Sequence, residues 1–220
     1  MTVLVPSCVI AAGMVLASAA LAQTVTFSEV AIGSLPAPFE TALTGDGLIG
    51  FWAVVQDDTA QGGRALEQRT PDPTDYRFPL AVYQPVVTRD LEVSTRFKPV
   101  AGRVDQAGGV AIRVLDADNY YVVRANALEN NVRFHRVVSG KRQQIAGADT
   151  RVSSGEWHTL TLRAEEDRFT VSFDGRELFS TTDRAFGAEG RIALWTKADS
   201  ITRFDRLEIR PLPRGRTDRA

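Results

Sequence analysis

The sequence predicts an all-β protein, an antiparallel β-sandwich of about a dozen or more strands with no helical layer. Three observations carry this. No stretch after residue 22 sustains a 3.6-residue apolar period over three turns. Short segments instead alternate apolar and polar side chains, as strands with one solvated face do. Between them lie clusters of Asp, Asn and Gly, residues that tolerate the backbone angles of tight turns.

Residues 1–22 carry no charged side chain, hold an apolar run over 8–21 and end Ala20-Leu21-Ala22, a small-x-small pattern. They read as a secretory signal peptide cleaved before Gln23, so the expected location is periplasmic or extracellular. A membrane-anchoring helix would need roughly 20 apolar residues, and Pro6 and Gly13 interrupt this one. No membrane span is expected in the mature chain. Cys8, the single cysteine, lies in this segment, so the mature chain has no thiol chemistry and no disulfide. With 26 basic and 27 acidic residues the net charge is −1, which argues against nucleic acid as a partner.

Residues 23–210 are expected to form one domain, and 211–220, rich in Pro, Arg and Gly, a disordered tail. Strands are expected over 24–30 and 50–55, and from the turn chemistry at 72–78 through Val82. Leu91, Val93 and Phe97 alternate with Glu92, Ser94, Arg96 and Lys98, the mark of a half-buried strand. A two-residue turn at Glu166-Asp167 pairs Leu160, Leu162 and Ala164 with Phe173, Val171 and Phe169; the next, Asp174-Gly175, sets Leu178 opposite Val171. A last pair covers 190–195 and about 201–209.

The most informative stretch is a meander over 109–138, with strands to about Leu115, from Tyr120 to about Ala127, and from Val132 to Val138. Side chains alternate across a strand, so loops of even length would collect Val110, Ile112, Val114, Tyr121, Val123, Ala125, Val132 and Phe134 on one face. The opposite face would then collect Arg113, Tyr120, Arg124, Asn126, Arg133 and His135. A β-bulge is the feature that would scatter the two sets. Sheet surfaces favour cross-strand pairs of opposite charge, and three arginines without an acidic partner on their own strands depart from that. Two readings stand: a solvated face, or a surface whose planar guanidiniums bind a ligand.

The segments Asp75-Tyr76-Arg77-Phe78-Pro79-Leu80, Asp105-Gln106-Ala107-Gly108-Gly109, Asp118-Asn119-Tyr120-Tyr121-Val122-Val123-Arg124, Gly155-Glu156-Trp157-His158 and Leu194-Trp195-Thr196-Lys197-Ala198-Asp199-Ser200 together resemble secreted bacterial proteins of the concanavalin A-like jelly-roll class. The branch they look most like is the 3-keto-disaccharide hydrolase-like domain, related to laminarinase-type folds. The resemblance spans roughly residues 26–209 and implies a jelly-roll sandwich of two antiparallel sheets and a carbohydrate ligand. It also implies that the loops bearing Asp105, Gln106, Lys197 and Asp199 lie near the polar face of the meander.

Laminarinase-type enzymes carry a Glu-x-Asp-x-x-Glu motif, because a retaining mechanism needs two carboxyl groups about 5 Å apart. The nearest fragment, Glu165-Glu166-Asp167, continues Arg-Phe-Thr and falls in a turn, so that motif is absent. His135 and His158 are too few for a multi-histidine metal site. Asp116 and Asp118 read either as calcium ligands or as an ordinary turn; no other cofactor is expected. Trp195 reads either as a stacking platform for a sugar or as a covered core residue. The expectation is an exported carbohydrate-recognising protein, with hydrolase or lyase activity on a modified glycoside left open. A non-catalytic binding module and a structural or adhesion scaffold are the alternatives.

Overall fold

Two antiparallel sheets face each other in the structure, a computed structural model that describes residues 22–213. The strands are β1 (Gln23–Thr26), β2 (Phe39–Gly45), β3 (Trp52–Gln56), β4 (Arg64–Gln68), β5 (Arg77–Thr88), β6 (Leu91–Ala101), β7 (Ala107–Asp116) and β8 (Asn119–Asn126). They continue as β9 (Asn131–Val138), β10 (Lys141–Asp149), β11 (His158–Glu165), β12 (Arg168–Phe173), β13 (Arg176–Thr182), β14 (Gly190–Thr196) and β15 (Ile201–Pro211). Among the described residues there is no helix. One sheet runs β13-β12-β11-β6-β15-β4-β3, with β1 also pairing β15; the other runs β10-β9-β8-β7-β14-β5-β2.

The hairpin registers follow turn chemistry closely. Leu160, Leu162 and Ala164 pair with Phe173, Val171 and Phe169 across Glu166-Asp167, as expected. Asp174 and Gly175 both adopt positive φ, 47° and 78°, the geometry of the favoured two-residue hairpin. Three expectations need correction. A bulge beside Val171 places Phe179, not Leu178, opposite it. The first strand ends at Thr26 rather than Val30. β15 runs through Pro211, and Leu212 N–H donates to Asp90 O at 2.9 Å, so ordered pairing enters the segment expected to be a loose tail. The signal-peptide reading falls almost wholly on residues 1–21, which lie outside the described residues, as do residues 214–220.

The main core lies between the sheets. From β7, β8 and β9 it takes Val110, Ile112, Tyr121, Val123, Ala125, Val132 and Phe134, packed against Phe97, Leu162, Phe169 and Phe204 of the facing sheet. A second apolar cluster sits on the outer face of the β7-bearing sheet: Phe78, Leu80, Ala111, Tyr120, Val122, Val137, Ala193 and Trp195. This face is curled. Strands β2 and β7 are three spacings apart, about 14 Å in a flat sheet, yet Thr44 of β2 donates its hydroxyl to Ala117 O at the β7–β8 tip, 2.5 Å away. Tyr76 OH likewise donates to Gly140 O of the β9–β10 turn at 3.0 Å, and Gly140 N–H to Asp118 O. The tip and the turn together roof the second cluster; beyond it, on β8–β10, the outer face turns polar, with Arg133 and Arg142 half-buried.

Candidate functional site

The site begins with loop lengths. Asp116 pairs with Asn119 across a two-residue turn and Asn126 with Asn131 across a four-residue loop, both even. The outward row on β8 is therefore Tyr120, Val122, Arg124 and Asn126, and on β9 Val137, His135, Arg133 and Asn131, each directly opposite its partner. Extending the register across Ser139-Gly140 sets Arg142 opposite Val137.

Arg113 does not join them. Between the pairs Ile112–Tyr121 and Asp116–Asn119, three residues of β7 face the single residue Tyr120, and Arg113 takes φ 49°. This bulge turns Val114 outward and Arg113 inward, the reverse of strict alternation. The Arg113 side chain is 1% exposed. It donates to Arg89 O (3.0 Å), Phe186 O (2.8 Å) and Glu166 O (2.5 Å), and lies 5.1 Å from the Phe169 ring centroid. It ties the end of one sheet to a hairpin of the other, and is no part of the outer face.

Tyr120 and Trp195 share the outer face but are closed to a ligand. Both are 0% exposed. Trp195 stacks on Phe78 at 5.3 Å and 18°, and its Nε1–H donates to Tyr120 OH, which also pairs with Thr44 Oγ1 at 2.8 Å. The sugar-platform reading of Trp195 is corrected: the roof over the second cluster covers it. Asp116 uses its carboxylate to close its own turn, accepting from Asp118 N–H (2.8 Å) and Asn119 Nδ2 (2.9 Å). No group of three or more metal-ligating side chains occurs among the described residues.

The remaining candidates come together. Arg124, 6% exposed, donates to Asn131 and to Glu129 (2.7 Å). Arg133 pairs with Asp149 at 2.6 Å. Asn126 donates to Asp105 Oδ1 and accepts Leu128 N–H, while Lys197 reaches both Asp105 and Asp75. Burial works against the charge on Lys197, but its two carboxylate partners hold it protonated and raise its pKa. The loops that carry these groups are pinned from beneath. Asp199 accepts the N–H groups of Arg103 (2.6 Å), Val104 (3.1 Å) and Asp105 (3.0 Å), and buried Arg77 donates to Leu48 O and Ala198 O. Gln106 donates to Gly102 O and leaves its buried Oε1 without a partner.

Two glycines that sequence reasoning passed over shape the surface. A Cβ on Gly109 would lie 2.4 Å from Val123 O and 3.0 Å from Arg124 Cβ, and one on Gly147 would lie 2.4 Å from Arg133 Cδ. Both arginine stems occupy space that a side chain would fill. His135, 4% exposed, stands between Arg142, Arg124 and Arg133. Burial, reinforced by those three guanidiniums, holds its pKa down to about 2, so the imidazole is neutral. Its Nδ1, together with Nε of Arg124 and Nη1 of Arg142, is buried and has no hydrogen-bond partner.

A family model described as galactocerebrosidase, C-terminal lectin domain, matches residues 85–212, from within β5 through β15. The chain belongs to this lectin-domain family. Its match takes in every strand of the polar patch. Solved structures agree on the fold. The carbohydrate-binding module CBM66 from Bacillus subtilis aligns with a TM-score of 0.60 at 21% identity, over 75% of this chain and 91% of that one. A β-glucanase from Bacillus licheniformis aligns at 0.58 and 10% identity, over 87% and 98%. A conserved carbohydrate esterase from the Shiga toxin-encoding bacteriophage phi24B aligns at 0.56 and 16% identity, over 86% and 97%. No curated protein matches the sequence. The jelly-roll sandwich of two antiparallel sheets expected from the sequence is met.

Proposed function

We propose that this lectin-domain protein is an exported carbohydrate-binding protein whose ligand lies on the polar, β8–β10 part of the outer face. The supporting observation is the set of buried polar atoms left without partners there: His135 Nδ1, Arg124 Nε and Arg142 Nη1. A native fold satisfies nearly all buried polar groups, so three open valences on one face mark where a hydroxyl-rich ligand completes the network. The family membership and the CBM66 likeness support a sugar as that ligand.

Binding is favoured over hydrolysis by the state of the acids. Asp105 is held by Asn126 and Lys197, Glu129 by Arg124 and Asn131, and Asp149 by Arg133. Each of these carboxylates thus serves an ion pair or hydrogen bond, and none stands free as an acid or nucleophile in this arrangement.

Arg133→Ala tests the reading, since its ion pair with the exposed Asp149 contributes little to stability. We expect affinity for a sugar selected from a broad glycan panel to fall about tenfold, the loss of a hydrogen bond from a charged donor, with an unchanged melting temperature. Arg124→Ala is less clean than strand parity alone suggests, because Glu129 and Asn131 would lose their partner. A panel on which no glycan binds the wild type, or a variant that binds as the wild type does, would overturn the assignment. Product release from a bound oligosaccharide would restore the hydrolase or lyase reading.

A further inference from the structure

The formal charges of the patch cancel, but they are unevenly placed: Lys197 holds two carboxylates and one arginine holds none. Arg124 is matched by Glu129, Arg133 by Asp149, and Lys197 by Asp105 and Asp75. Arg142 has no contact partner: among the described residues it forms no ion pair within 4.0 Å, though its charge helps to hold the Asp75 pKa down. Its guanidinium lies 4.7 Å from the Phe78 ring centroid, its backbone N–H donates to Tyr76 OH at 2.6 Å, and its buried Nη1 is unsatisfied. A cation over an aromatic face is held in place but not neutralised. Arg142 is therefore an anchored positive charge at the margin of the roof that feels Asp75 only at a distance and has no contact ion pair.

Its neighbours sharpen the point. Arg142 stands opposite Val137, two residues along β9 from His135, while His135 itself is flanked on β8 by Val122 and diagonally by Arg124. Diagonal positions on paired strands lie within reach of long side chains. The three atoms left open, Arg142 Nη1, Arg124 Nε and His135 Nδ1, belong to this one corner. Two of the three are guanidinium N–H groups, which donate and never accept. Neutral sugar hydroxyls can accept from them, but an anionic oxygen also supplies the contact ion pair that Arg142 lacks. The rim carboxylates point to the same chemistry: Glu129, Asp149 and Asp75 are 44%, 84% and 77% exposed. Such exposed partners yield readily to a competing anion.

Building on the carbohydrate-binding reading, we infer that the ligand is an acidic sugar, whose carboxylate or sulfate is received by Arg142 and Arg124 beside His135. The arginine fork suits both groups, since each presents coplanar or clustered oxygens to parallel N–H donors.

The test is titration calorimetry with three oligosaccharides: an oligogalacturonate, the same oligomer after reduction of its carboxyl groups to alcohols, and a sulfated oligosaccharide of equal length. Wild type should bind at least one acidic oligomer tenfold or more tightly than the reduced one, and which acidic oligomer it prefers separates carboxylate from sulfate. Arg142→Met, which keeps the packing on Phe78, should erase that preference, bringing the affinity for the acidic oligomer down to that for the reduced one. Arg142→Lys should restore part of it. Equal affinity for acidic and neutral oligomers, or a preference that survives in Arg142→Met, overturns the inference and leaves the carbohydrate reading standing. No binding of any oligosaccharide by folded wild type, here or on the glycan panel, removes both.

Discussion

Replacing His135 with Gln should abolish most of the protein's loss of stability between pH 7 and pH 5. In the folded chain the imidazole is 4% exposed and faces Arg142, Arg124 and Arg133, so burial and three positive neighbours hold its pKa down to about 2 against 6.5 for a free side chain. Below 6.5 the unfolded chain takes up a proton that the folded chain refuses. Unfolding is then favoured by about 1.4 kcal/mol for each further pH unit. Integrated from pH 7 to pH 5, this single group costs about 2 kcal/mol of stability. The result is insensitive to the exact folded value, because any pKa well below 5 leaves the histidine neutral across the window. Asp72, Asp75, Glu129 and Asp199, whose pKa values are lowered in the fold, act in the same direction but only at more acidic pH, as they approach their ordinary carboxylate range. Gln keeps a polar, uncharged group at the position. Urea unfolding of wild type and His135→Gln at pH 7, 6 and 5 measures the difference, and parallel curves for the two proteins would refute the reasoning.

Trp195→Ala should cost about 3–5 kcal/mol in chemical denaturation, because the ring is fully buried on Phe78 and its removal opens a cavity under the roof; a loss below 1 kcal/mol would mean that the ring is accessible after all. Arg113→Met should destabilise by roughly 3 kcal/mol, leaving the carbonyls of Arg89, Phe186 and Glu166 without their donor. Glycan affinity per folded molecule should be unchanged in that variant, since Arg113 lies on the core side of the sheet; weakened binding would return it to the site.

Local chemistry determined much of this protein from the sequence alone. Strand periodicity is set by the covalent alternation of side chains, and turn positions by residues such as Asp174-Gly175 that accept positive φ. Those two rules suffice for an all-β sandwich, for the register of β11 on β12, and for the shared face of Arg124, Asn126, Arg133 and His135. Arg142 was legible by the same rule, had the register been carried over one more turn at Ser139-Gly140. What the tertiary structure decided is everything that depends on bending. The bulge at Arg113 reverses two side chains because extra residues in one strand have no partner in the next, a mismatch invisible to alternation. The curl of the sheet then brings Ala117 onto Thr44 and Gly140 onto Tyr76, burying Trp195 and Tyr120. The ion-pair partners Glu129, Asp149 and Asp75 come from loops and a neighbouring strand, at sequence separations no pattern links to the arginines and Lys197. Charge pairing is a property of neighbours in space, and so the lack of a contact ion pair at Arg142 could be recognised only once the chain was folded.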